Sequence, residues 1–83
     1  MTARTVIVDV RGHDGGPVAG ARVWFPRAPV AVADLAALTD DDGRVVLGAA
    51  AAGESEVCVV GDDATVTREV RVGRSAVHVT IVV

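Results

Sequence analysis

Apolar and polar residues alternate along most of this chain. In residues 5–11, Val6, Val8 and Val10 fall on one face and Thr5, Asp9 and Arg11 on the other, the period of two that marks a half-buried strand. The glycine-rich stretch Gly12-His13-Asp14-Gly15-Gly16-Pro17 then predicts a turn. Alternation resumes at 21–25, with Ala21, Val23 and Phe25 against Arg22 and Trp24. Pro26 is expected to end this strand, and residues 26–29, with two prolines, to stay out of any central ladder. Residues 30–38 read two ways. Their alanines and leucines suit a short helix, but a loop into a strand at 35–39 completes a hairpin and is preferred. Asp40-Asp41-Asp42-Gly43 is a strong turn signal, because aspartates bond their own backbone and glycine supplies positive φ. Further strands are expected at 44–47, 55–60, 65–72 and 76–83, with an alanine-rich connector over 48–53 and turns at 61–63 and 73–75. Seven short strands in one domain, 1–83, read as an all-β sandwich.

Composition shows what the inner rows are made of. Nineteen valines and fourteen alanines supply most of the apolar residues, and Trp24 and Phe25 are the aromatics. Lysine, asparagine, glutamine and tyrosine are absent, which removes every lysine-based Schiff base, nucleophile or crosslink. Eight arginines against eleven carboxylates give a net charge of -3 with no basic block, so nucleic acid is not an expected partner. A single cysteine, Cys58, cannot make an internal disulfide. No run approaches the roughly 18 apolar residues of a membrane span, so no membrane partner is expected. The start has no signal-peptide pattern, which reads as a cytoplasmic chain if complete and as an extracellular one if cut from a longer secreted protein.

Two phrases add a family resemblance. Asp14-Gly15-Gly16-Pro17-Val18-Ala19-Gly20-Ala21-Arg22-Val23 resembles the G-x-P-V-x-G-A-x-V opening of carboxypeptidase regulatory-like domains, and Thr39-Asp40-Asp41-Asp42-Gly43-Arg44 resembles their T-D-x-D-G-R hairpin. Ala52-Gly53-Glu54 and the strand after it are similar to their A-G-x-Y-x-V segment, with Ser55 in place of the tyrosine. The resemblance implies a seven-stranded antiparallel Greek-key β-sandwich, immunoglobulin-like or transthyretin-like, related to collagen-adhesin B-type repeats. It also implies a non-catalytic module, since most members are accessory domains or segments of surface proteins. The isopeptide bond of the collagen-adhesin relatives requires a lysine, and this chain has none. The transthyretin-related hydrolases end in Tyr-Arg-Gly-Ser, whereas this chain ends in Thr80-Ile81-Val82-Val83, so their activity is not carried over.

Candidate chemistry is sparse. His13 lies in a turn and His78 in the outward phase of the last strand, without the spacing of a zinc site, and both read as solvated surface histidines. Asp40, Asp41 and Asp42 resemble part of a calcium loop, but alanine stands at the twelfth position where glutamate is needed, so the acidic turn is the preferred reading. Whether Asp40, Asp42, Asp62 and Asp63 meet around a cation stays open at this level. No G-x-S-x-G elbow surrounds Ser55 or Ser75, and Cys58 reads as structural. Arg68 falls in the inward phase of Val66, Val70 and Val72, so either the strand bulges or the arginine reaches past the sandwich edge.

These residues predict no catalytic site, no metal and no cofactor. The expected function is non-catalytic: a protein-interaction or structural module acting with a separate protein, its contacts centred on Trp24 and Arg22 or on a free sheet edge. Trp24 either faces a partner or packs under the loop from 26 to 38. The alternative function is an extracellular accessory domain, binding carbohydrate or acting as a spacer, within a larger surface or secreted protein. A homodimer that hides a sheet edge is also expected to be feasible for so small a core.

Overall fold

The computed structural model describes residues 4–27, 36–49, 52–61 and 64–83, with the backbone alone at Arg4, Arg27 and Ala49. Within these residues lie seven strands: β1 (Arg4–Arg11), β2 (Arg22–Arg27), β3 (Ala37–Leu38), β4 (Arg44–Ala49), β5 (Gly53–Val60), β6 (Thr65–Val72) and β7 (Val77–Val82). They form a three-stranded sheet in the order β4-β1-β7 and a four-stranded sheet in the order β3-β2-β5-β6.

The alternating valines make the interface between the sheets. Val6, Val8 and Val10 of β1 are fully buried, as are Val23 of β2, Val57 and Val59 of β5, and Ile81 of β7. Val70 and Val72 of β6, Val45 and Leu47 of β4 and Ala21 belong to the same cluster, with Phe25 and Val66 partly buried against it. Each fully buried valine contributes about 1.5 kcal/mol or more by leaving water, so stability here is spread over many medium-sized side chains.

Three expectations need correction. The sandwich is not wholly antiparallel: β1 and β7 pair in parallel, from Val6 opposite Val77 to Arg11 opposite Val82. These two strands are not joined by a hairpin, so no turn imposes an antiparallel direction on them. Nor does Pro26 end β2. The strand runs on to Arg27, which pairs with Glu56, and the proline sits in a register shift between Trp24 and Arg27, where the interrupted ladder tolerates a missing N–H. Third, β4 and β5 reach into the supposed connector, to Ala49 and from Gly53. Of the ambiguous segment, Ala37 and Leu38 are strand, and residues 28–35 lie outside the described residues.

Arg68 keeps its register opposite Val57 without a bulge. Being exposed on an edge strand, it reaches the other sheet, where its Nη1 donates to the Thr80 carbonyl at 3.4 Å.

The two phrases that carry the family resemblance meet in space. Thr39, buried, accepts from the Ala21 N–H through Oγ1 at 3.0 Å and donates to the Val18 carbonyl at 2.6 Å. Asp40 then organises the hairpin, its Oδ1 accepting from the N–H groups of Asp42 and Arg44 at 2.9 and 3.0 Å. Gly43 closes it at φ 75°, where a Cβ would stand 2.5 Å from the Val10 carbonyl oxygen. Only glycine fits both the conformation and the space.

Candidate functional site

The outer face of the three-stranded sheet carries a charged cluster built on β1. Asp9 is outward by strand alternation, yet it is only 5% exposed, because it sits on the central strand between residues of both neighbours. In register, Arg44 of β4 lies opposite it on one side and Thr80 of β7 on the other. The Arg44 guanidinium grips the carboxylate with two donors, Nε to Oδ1 at 2.8 Å and Nη2 to Oδ2 at 3.1 Å. His78 of β7 binds the same Oδ2 through Nε2.

The electrostatics follow from this geometry. The hydrogen bonds from Arg44, then that from His78, hold the Asp9 carboxyl well below the usual carboxylate range, against the opposite push of burial. The Asp9 hydrogen bond and charge raise the Arg44 guanidinium above its ordinary value. An ionised carboxylate only accepts, so the His78 ring carries its proton on Nε2. One acid thereby pins all three strands of the sheet at one level. No serine or cysteine occurs in β1, β4 or β7, so the histidine and acid have neither of those nucleophiles beside them on this face.

Beside the cluster is a groove of about 270 Å³ lined by Asp9, Arg11, Pro17, Asp42 and Arg44. Arg44 is engaged with Asp9, whereas the Arg11 guanidinium takes no partner among the described residues. The groove therefore presents both charge signs.

The structure places the sequence-derived candidates as follows. Arg22 is exposed and Trp24 half-buried, both directed to the outer face of the four-stranded sheet, with Trp24 opposite Cys58 in register. The loop expected to cover Trp24 falls largely outside the described residues. Cys58 is a free thiol that is buried although it points outward. His13 is exposed in its turn. His78, expected to be merely solvated, is instead bound to Asp9; its surroundings on β1 were hidden from a reading of its own strand. The carboxylate of Asp40 is spent on the backbone of its own hairpin. Asp62 and Asp63 lie outside the described residues, and the described ones hold no group of three acidic, histidine or cysteine side chains able to hold a metal.

Asp9 and Arg44 were missed as site residues. Within its own strand Asp9 shares the polar face with Thr5 and Arg11, so no local signal marked it, and its pairing with Arg44 spans 35 residues.

No family model matches this chain. No curated protein matches it either. Solved structures do. The fold is similar to that of BcpA, the major pilin subunit of Bacillus cereus, with a TM-score of 0.69 at 14% identity over 98% of this chain. A variant of the same pilin gives 0.68 at 14% identity over 96%. The Bacillus anthracis TIE protein gives 0.56 at 16% identity over 98%. This chain spans 28%, 29% and 16% of those three proteins. The likeness establishes an all-β, pilin-like sandwich fold. No helix among the described residues is long and apolar enough to cross a membrane.

Proposed function

We propose that this chain is a non-catalytic structural or protein-interaction module that works with a separate partner protein, built on the Greek-key frame of the carboxypeptidase regulatory-like, transthyretin-like sandwiches. The observation that carries this reading is the match of almost the whole chain to part of a pilin subunit, a protein whose role is structural. The junction of the two family-like phrases at Thr39 supports the finer fold assignment. The outer face bearing Arg22 and Trp24 is the proposed contact surface, since arginine and tryptophan are enriched where partners bind most strongly. Cross-linking in the native host, with Trp24→Ala and Arg22→Glu as controls of verified fold, tests it. Unchanged recovery of the partner with both variants would refute the assigned surface.

A second reading is an accessory or spacer domain, or a carbohydrate-binding one, in a longer surface or secreted protein. It is favoured by the fraction of the pilin that the chain matches, 28%. Labelling intact cells with an antibody to this domain should give signal without permeabilisation, and signal only after permeabilisation would refute it.

A further inference from the structure

Each sheet ends in two edges, β4 and β7 in one and β3 and β6 in the other. Open edges are templates for pairing, and proteins blunt them with short length, charge or caps. Three edges here are blunted. Strand β3 has two residues. Strand β6 carries Arg68, Glu69 and Arg71, all exposed. Strand β7 has its Thr80 carbonyl capped by Arg68.

The edge of β4 is different. The Val10 N–H donates to the Gly43 carbonyl at 2.7 Å. By antiparallel alternation, Val45 and Leu47 therefore turn their N–H and C=O groups towards β1, while Arg44, Val46 and Gly48 turn theirs outward. Asp40 takes both of the outward groups of Arg44: its Oδ1 accepts the N–H at 3.0 Å, and its own N–H donates to the carbonyl at 2.9 Å. The corresponding groups of Val46 and Gly48 have no partner among the described residues. Val46 is 60% exposed. Apart from its chain neighbours, no atom of the described residues lies within 4 Å of where a Cβ on Gly48 would stand, and no charged residue occurs from position 45 to position 53.

We propose that β4 is a self-pairing edge through which two copies of this chain join their three-stranded sheets into one of six strands. The free groups lie one residue either side of Leu47, so the edge is its own complement about a twofold axis there. Val46 of each copy pairs with Gly48 of the other, and each such pair exchanges two N–H to C=O hydrogen bonds, four in all. Each Val46 side chain then covers the empty space above the other copy's Gly48. The spacing of the free backbone groups and the seating of Val46 over Gly48 are matched by the same strand turned about this axis, and for this reason the occupant is a second copy. This surface lies on the opposite sheet from Trp24 and does not depend on the role proposed for that residue.

Sedimentation velocity and amide hydrogen exchange from about 10 µM to about 1 mM test the proposal. The dimer fraction should grow with concentration. The Val46 and Gly48 amides should exchange fast when dilute and slow when concentrated, whereas those of Val45 and Leu47 stay protected throughout. Val46→Lys and Val46→Pro should each weaken dimerisation by more than about tenfold with an unchanged β-type circular dichroism spectrum. If the proline variant does not fold, the lysine variant decides. A monomer across the whole range, a dimer indifferent to Val46→Lys, or concentration-dependent protection on another strand would overturn the proposal. Trp24→Ala should leave the dimer intact, which separates this outcome from failure of the partner surface.

Discussion

Replacing Asp9 by asparagine keeps the shape of the side chain and removes its charge. In the wild-type protein Oδ2 accepts from both Arg44 Nη2 and His78 Nε2, and Oδ1 accepts from Arg44 Nε. An amide places an NH₂ group on one of these sides, so at least one guanidinium donor faces another donor. Charge-assisted hydrogen bonds are worth about 1.5–3 kcal/mol when buried. The Arg44 and His78 side chains are 51% and 53% exposed, so solvent screens much of that value. A net loss of about 1–2 kcal/mol is expected for Asp9→Asn at pH 7, which corresponds to a fall in Tm of about 5–15 °C for a domain of this size. The loss should depend on pH in one direction. Because the folded carboxyl titrates below its unfolded value of about 4, the unfolded chain takes up the proton first as pH falls. The Asp9 contribution is therefore complete above about pH 5 and fades below about pH 4. Urea titrations of both proteins between pH 3 and 7 measure it directly. Equal stability at pH 7, or a gap that stays constant below pH 4, would refute the assignment of Asp9 as the pin of this sheet.

Four other substitutions probe the frame around it. Gly43→Ala should cost more than about 2 kcal/mol, because the methyl group meets the Val10 carbonyl. Gly20→Ala, at φ 73° with open space around it, should cost only about 1 kcal/mol; urea midpoints compare the two. Thr39→Val should lose about 1–3 kcal/mol, since the buried Ala21 N–H and Val18 carbonyl lose their shared partner, with hydrogen exchange at Ala21 as the local readout. Ser55→Ala should gain about 1 kcal/mol, because Ser55 is 3% exposed and its hydroxyl has no hydrogen bond among the described residues; a lower urea midpoint would count against that account.

How legible each feature was depended on how local its cause is. Alternation is a property of neighbouring residues, and the valine rows of β1, β5 and β6 follow from it directly. The Asp40 hairpin was equally plain, because its hydrogen bonds span two to four residues. Pro26 misled because a bulge depends on the partner strand, and nothing around the proline announces that β5 will slip past it. The parallel pairing of β1 with β7 and the Asp9 cluster were harder still. Asp9 meets Arg44 across 35 residues and His78 across 69, and each side chain taken in its own strand is an ordinary outward polar residue. Arg68 shows the intermediate case: its wrong phase was visible in the strand, but only the open side of the sandwich explains where it goes.

The position of Arg44 connects the charged cluster to the open edge. Closing the three-stranded sheet brings distant parts of the chain together, and loop closure makes such pairings costly to form. Phe25 is the one aromatic among the described residues packed against the core, and only partly buried, so the sheet is fastened on its outer face as well, where Asp9 engages both neighbouring strands at once. Arg44 serves this fastening with its guanidinium and closes its own outward backbone groups on Asp40. The guarded part of β4 therefore ends at Arg44, and two residues on, at Val46, the edge opens with backbone groups unpaired among the described residues and an exposed valine. Arg44 should thus act on the two features separately. Arg44→Gln should weaken the Asp9 pin while its backbone still closes on Asp40, leaving the pairing register at Leu47 unchanged. Asp40→Ala should free the Arg44 N–H while the backbone N–H of residue 40 still holds the Arg44 carbonyl, and concentration-dependent amide protection should then extend from Val46 to Arg44.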